Sequence, residues 1–365
     1  MAVSEACAPP PITTVEQLQC YLRNAISLEF STIPPYLCGA WSIKDQGNEC
    51  VTLIKSVAIT EMRHMAIDCN CLIATGQSPV IANLVPTYPS YLPDGEDEFE
   101  VDLLPFGPEF LQKAMLIEQP APSVKVPEGI RALVAAGKAI PRKHRLLAMG
   151  NIFPTIGEFY NTILSGIQYL VEHLGETTVF PNGGNTSQQV AEFNGPITIA
   201  GSSDALTLLT DIIDEGEGTP GTMWDENGNL SHYYTFQEIS LGRHYQKNDQ
   251  PGLPSGSPIS VPSSDQVVPM LCNPRMKDYV PQTSQVWRDG DAFNRQFQQL
   301  VQQLNTVFNG SPGNLDQAIG EMVQLDQPGT GLVWPLFGDS VPNQPGLVAG
   351  PTFEIPPYNL QTDSW

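Results

Sequence analysis

Positive charge is scarce in this chain: 17 Lys and Arg stand against 39 Asp and Glu, a formal charge of −22 at pH 7. Nucleic-acid binding needs clustered cations to neutralise phosphates, so the balance argues against it. It also disfavours docking on an anionic membrane. No apolar run approaches the roughly 18 residues a membrane helix needs, so no membrane span is expected. The opening Met1–Cys7 has no basic region followed by an apolar one, and no secretory leader is expected. Cysteine is present but unpatterned. The count is seven, an odd number, and Cys69 and Cys71 lie two apart in a helical stretch, facing different sides. Neither a disulfide framework nor a zinc pair fits, and a reduced, cytoplasmic protein is the expectation. A G-x-G-x-x-G before a helix, a Walker loop and a G-x-S-x-G are all missing, so nucleotide and acyl-transfer chemistry gain no support.

What the chain does have is helical periodicity broken by many turns, with 34 Pro and 31 Gly among 365 residues. Residues 14–44 read as a first helix opened by Thr13 or Thr14, with Leu18, Leu22, Ala25 and Glu29 on one face. Pro34-Pro35 should kink or interrupt it. A second helix, 50–75, carries Ile54, Val57, Glu61, His64, Asp68 and Cys71 along one face and ends before Gly76. Residues 77–150 read as a long connection with an acidic run, Asp94–Glu100, a short basic segment, Lys138–Arg145, and room for short helices. Further helical patterns follow at 154–174, 204–217, 232–245, 292–308 and 315–325, separated by Pro/Gly-rich segments such as 250–264. The expected fold class is mainly α: a four-helix bundle over residues 14–249, preceded by a tail at 1–13 and followed by a loop-rich extension at 250–365 with two helices packed on the bundle.

Glu29 and Glu61 interrupt apolar stripes, where an unpartnered carboxylate is costly. In Glu61-Met62-Arg63-His64 the carboxylate and imidazole sit three apart and project to one side of the helix. One known solution to such a pattern is a dinuclear metal site, built from one Glu on each of two helices and a Glu-x-x-His pair on each of the other two. Four carboxylates balance two divalent ions, and carboxylate with imidazole suits iron or manganese. Glu29 and Glu158 fill the single-Glu positions, and Glu61 with His64 forms the first pair. No Glu-x-x-His occurs in 204–245. An interrupted pair, Glu217 with His232, takes its place, because Glu217 continues the Leu206–Leu209–Ile213 face. Asp214, Glu215 and Glu238 are the alternatives to Glu217. Asp68, one turn past His64, reads either as its orienting partner or as a solvated carboxylate. His144 and His173 fall outside these faces and read as surface or structural, while His244, three turns past His232, reads as a solvated helix end or as part of a pocket mouth.

The stretch Glu29-Phe30-Ser31-Thr32-Ile33-Pro34-Pro35-Tyr36-Leu37, followed by Glu61-Met62-Arg63-His64-Met65-Ala66, resembles the ferritin-like domain of the iminophenyl-pyruvate dimer synthase family. Relatives of that family include imine-dimerising enzymes of violacein and rebeccamycin biosynthesis. Thr155–Tyr160, Gly216-Glu217-Gly218, His232–Ile239, Ala292-Phe293-Asn294 and Gly350–Glu354 are similar to its later motifs, in the same order, so the resemblance runs from about residue 14 to 355. It implies a ferritin-like fold and a dinuclear non-haem metal site. The expected function is an oxidase or oxygenase of specialised metabolism, with two iron ions (manganese being the alternative) and O2 as co-substrate. Its substrate would be a small, amino-acid-derived molecule. The alternatives are an imino-acid dimer synthase acting after a partner amino-acid oxidase, and a ferroxidase or metal-binding protein with no organic substrate. A reductant is the other expected partner, and a homo-oligomer is compatible with the pattern.

Overall fold

Thr14 opens the first helix, α1 (Val15–Trp41), with a capping box: its hydroxyl accepts the Gln17 N–H at 3.2 Å, and the Gln17 side chain accepts the Thr14 N–H. The structure is a computed structural model that describes residues 12–91, 100–120, 144–146, 151–153, 155–218 and 222–360. The tail up to residue 11, the acidic run from Asp94 through residue 99 and the basic segment from Lys138 through residue 143 lie outside the described residues.

The expected break at Pro34-Pro35 does not occur: α1 runs through both prolines. Two prolines remove two N–H donors and so orphan carbonyls one turn earlier. The Ser31 carbonyl, which Pro35 cannot reach, accepts the Tyr88 hydroxyl at 2.8 Å. Such a buried bond contributes about 1 kcal/mol net, and it comes from a residue in the following connection. The second helix, α2 (Glu49–Ala74), starts at Asn48, whose side chain accepts the Cys50 N–H, and packs along α1 as the most extensive helix pair.

Within the long connection, α3 (Pro108–Ile117) begins with proline in its first turn, where the missing N–H costs nothing. Two small antiparallel pairings flank it in sequence, Ser90–Tyr91 with Glu100–Val101 and His144–Leu146 with Asn151–Phe153. The next helix, α4 (Ile156–Leu174), is capped by Thr155; α5 (Ser202–Glu217) and α6 (His232–Leu241) follow. α6 stops four residues earlier than the periodicity predicts, because Gly242 takes the left-handed conformation (φ 67°) and its N–H caps the helix end.

The C-terminal third supplies α7 (Gln285–Val307), which starts earlier than expected at the cap Ser284, and α8 (Leu315–Asp326). They share one apolar core with the bundle. Trp41 stacks on Phe353 at 6.2 Å and meets Phe293 edge-on, while Phe30 packs on Phe297. Asp326 at the end of α8 ties this layer to both leading helices, accepting the Trp41 Nε1–H and the Lys55 ammonium at 2.8 Å each. The fold is mainly helical. Among the described residues no helix is long and apolar enough to cross a membrane.

Candidate metal centre

Two groups of buried side chains converge inside the bundle. Glu29 from α1 meets Glu61 and His64 from α2, and Glu61 also meets Glu118, just past the end of α3, and His232, the first residue of α6. Within each group one ligand-type atom per residue lies within 4.8 Å of the others. Glu61 belongs to both groups, as a carboxylate between two cations would. His64 Nδ1 is 3.6 Å from both Glu29 Oε2 and Glu61 Oε1, and His232 Nδ1 is 3.6 Å from Glu118 Oε2. The two imidazoles face each other at 5.5 Å between ring centres.

Hydroxyl groups fix the carboxylates. Thr32 Oγ1 lies 2.8 Å from both Glu61 Oε2 and the Glu29 carbonyl, either of which can accept its hydrogen, and Tyr36 donates to Glu118 Oε1. Tyr160 of α4 lies between two acids, its hydroxyl 2.6 Å from Glu29 Oε1 and 2.7 Å from Asp68 Oδ2. One hydroxyl hydrogen cannot serve two carboxylates, so one of the pair carries a proton. Burial raises both carboxyls, Glu29 well above its usual range and Asp68 to about 8, but a metal on Glu29 needs that carboxylate ionised, which leaves the proton to Asp68, whose Oδ1 has no partner.

The electrostatics are those of a group built around cations. Burial first, and the neighbouring Glu61 second, push the Glu29 carboxyl well above its usual range, and the same two causes raise Glu118. Burial opposes ionisation of Glu61 as well, but contacts with His232 and His64 override it and hold its carboxyl down at about 2. Burial disfavours the charged form of His232, yet Glu118 and Glu61 raise it to about 9, and Glu215 with Glu29 raises His64 in the same way. The surrounding carboxylates thus favour positive charge at both imidazoles. His232 Nδ1 reveals the strain in that arrangement: it is buried 2.7 Å from Glu61 Oε1 and still makes no well-formed hydrogen bond. Two atoms so placed suit a common third partner, and the carboxylate–imidazole set fits a metal such as iron or manganese.

Four of the sequence-derived residues, Glu29, Glu61, His64 and His232, therefore come together. Glu158 and Glu217 do not join them, and neither has an oxygen in either group. Glu158 occupies the first turn of α4, where its N–H bonds Thr155 Oγ1 at 3.2 Å and its carboxylate is only partly buried beside the positive helix end. The buried face of α4 runs instead through Phe159, Tyr160 and Ile163. Glu217 Oε1 accepts the Gly157 N–H at 3.0 Å, and a Cβ at Gly157 would sit 2.6 Å from that oxygen, so the glycine is what admits the carboxylate. The buried residues of α5 are Ala205, Leu208, Leu209, Ile212, Asp214 and Glu217, while Glu215, three residues past Ile212, is half-buried and turned toward α2.

Glu215 Oε2 approaches the other nitrogen of His64, Nε2, at 2.7 Å, while Arg63 holds both oxygens of the same carboxylate at 3.2 Å. A carboxylate on the far ring nitrogen fixes the tautomer that leaves Nδ1 free for a metal. Asp68 makes no such contact and serves Tyr160 instead. Glu238 is engaged elsewhere, accepting the Tyr245 N–H and, with Glu49, holding His244 at 3.2 and 2.9 Å. His173 is exposed on α4 with its Nδ1 at the Tyr169 carbonyl.

Glu118 is the residue that the periodicity did not single out. Its signal was local: Leu111, Ala114 and Glu118 follow steps of three and four, the same pattern that marks Glu29 and Glu61.

A family model described as Ferritin-like matches residues 22–241 of this chain. The chain belongs to the ferritin-like family. That match begins within α1 and ends at the last residue of α6, so every residue of the centre falls inside it. Among solved structures, the ferritin-like chain is similar to a ferritin like protein from Caulobacter vibrioides, with a TM-score of 0.54 and 23% identity, covering 86% of this chain and 96% of that one. That likeness is one of fold. None of the curated proteins matches the ferritin-like chain.

Proposed function

We propose that this ferritin-like protein is a non-haem di-metal oxidase or oxygenase that uses O2 to transform a small, amino-acid-derived metabolite. The observation that carries the reading is the pair of buried Glu/His groups sharing Glu61. Glu29, Glu61 and His64 would hold one ion, and Glu61, Glu118 and His232 the other. When bound, two reduced iron ions supply the electrons that O2 needs to react with an organic molecule.

The chain's own residues define the rest of the site. Glu215 keeps His64 in its ligating tautomer, Thr32 and Tyr36 aim the Glu61 and Glu118 carboxylates, and Tyr160 holds a proton between Glu29 and Asp68. The burial of all five ligating residues keeps bulk water out of the centre. The motifs shared with the iminophenyl-pyruvate dimer synthase family support a narrower version, in which the substrate is an imino acid delivered by a partner amino-acid oxidase and two such molecules are joined.

The test compares O2 uptake by the iron-loaded protein under two conditions. One supplies ferrous salt alone; the other supplies aromatic amino acids, keto acids and their imines with a reductant. Substrate-dependent uptake with a coupled or oxidised product is expected. Repeated ferrous oxidation with mineral formation and no organic turnover would replace the enzyme by a ferroxidase.

A further inference from the structure

Outside the metal centre, α1 and α2 present a second surface to the C-terminal helices α7 and α8, and the packing there is incomplete. An apolar pocket of about 90 Å³, partly open to solvent, remains among the four helices, Phe193 and Phe353. Every side chain lining it is apolar, including Ile33 of α1, Met65 and Ala66 of α2, Leu304 of α7, and Ala318 and Met322 of α8. Core side chains normally fill such space, and an all-apolar lining favours small apolar molecules over water, which finds no hydrogen-bond partner there.

Helix geometry sets its relation to the metals. Ile33 stands one turn beyond Glu29 and Met65 one turn beyond Glu61, and residues four apart are neighbours along one helix face. Phe30 and Met62, also in the lining, directly follow the same two ligands, about 100° further round each helix. The cavity thus begins at the flank of the ligand-bearing faces, with Ile33 and Met65 at the boundary. Met65 is unbranched and has three rotatable bonds, so it can swing without disturbing the backbone.

The lining also selects the occupant. An amino-acid-derived molecule brings a carboxylate or amine that would lose water and find no partner here. Of the reactants in the function proposed above, O2 alone carries no charge and no hydrogen-bond donor. We propose that this cavity binds dioxygen and passes it to the metal centre between Ile33 and Met65. The assignment of O2 as occupant rests on that O2-dependent reading.

Xenon is the probe, because it binds apolar cavities. In crystals of the metal-loaded protein under xenon pressure, xenon should occupy the space between Met65 and Met322. In solution, xenon should raise the KM for O2 and leave kcat unchanged. Ala318→Phe, on the α8 wall away from the ligands, should expel xenon and raise the KM for O2 several-fold at unchanged kcat and metal content. Ala318→Leu is the milder filling should the larger ring unseat α8, with melting temperature read on both variants. An empty cavity under xenon overturns the proposal. Xenon in the cavity with a KM for O2 that neither xenon nor filling alters overturns the delivery role and leaves the enzyme reading intact. A wild-type protein that consumes no O2 with any substrate defeats both.

Discussion

Glu215 Oε2 lies 2.7 Å from His64 Nε2, on the side of the ring away from the metal-facing nitrogen. Removing that carboxylate leaves the imidazole free to rotate and change tautomer. Glu215→Ala should weaken metal binding by about 10–100-fold, the usual effect of losing an outer partner of a ligating His. Glu217→Ala should leave metal content unchanged but lower the melting temperature, because the charged partner of the Gly157 N–H is lost. Metal titration and thermal melts on both variants check the pair. The face read from Leu206, Leu209 and Ile213 predicts the opposite order.

Shared ligation by Glu61 has a stoichiometric consequence. The purified protein should hold about two ions per chain. Glu118→Ala should retain one of them, whereas Glu61→Ala should lose both, since Glu61 stands in both groups. Elemental analysis decides this. Loading should also release protons, because the surrounding carboxylates favour the protonated form of His64 and His232, and a metal takes the place of those protons. Titration calorimetry in buffers of different ionisation enthalpy measures the release, and metal uptake with no proton release would sink the account.

The proton between Tyr160, Glu29 and Asp68 can be tested by isosteric replacement. Asp68→Asn is a neutral mimic of the protonated acid and should keep both metal content and melting temperature near wild type. Tyr160→Phe deprives two buried carboxylates of one partner. It should cost on the order of 1–3 kcal/mol, the penalty of a buried polar group left unsatisfied. A marked loss of stability in Asp68→Asn would place the proton on Glu29 instead.

His244 joins the start of α2 to the end of α6 through Glu49 and Glu238. Burial is the largest single influence and lowers its affinity for a proton, but Glu238 and Glu49 together outweigh it and raise the group above the ordinary 6.5. A His bound more tightly to its proton in the folded state adds stability below about pH 6.5, and that stability fades as pH rises through the higher folded value. His244→Gln should therefore lower the melting temperature at pH 5.5 and have little effect at pH 9. Glu49 is exposed and His244 only half-buried, so solvent screens much of the attraction and the effect is at most about 1 kcal/mol.

The parts of the centre that were legible in the sequence are those where a charged side chain breaks a long apolar stripe. Glu29, Glu61 and His64 sit in the middle of two helices of 27 and 26 residues, where the 3.6-residue period is unmistakable. Glu118 terminates a ten-residue helix inside a Pro-rich connection, and so short a stripe gives little periodicity to interrupt. On α5 the apolar stripe is wide enough that Glu215 and Glu217 each continue one flank of it, and only packing against α2 and α4 separates them. The Pro34-Pro35 pair misled for another reason. Proline's cost in a helix is local, but the Tyr88 hydroxyl that offsets it comes from 57 residues further along the chain.

Trp41 links the earliest helix to the latest part of the chain, stacked on Phe353 and hydrogen-bonded to Asp326. The segment that carries the metal ligands ends near residue 241, but the segment needed to bury Trp41 runs past residue 350. A gene fragment cut between α6 and α7 would encode every ligand and still leave Phe30 and Trp41 facing water. Exchange of the segment bearing the candidate centre between relatives would have to carry its C-terminal cover along, and any trimmed version made for study needs new polar residues on that face to avoid aggregation.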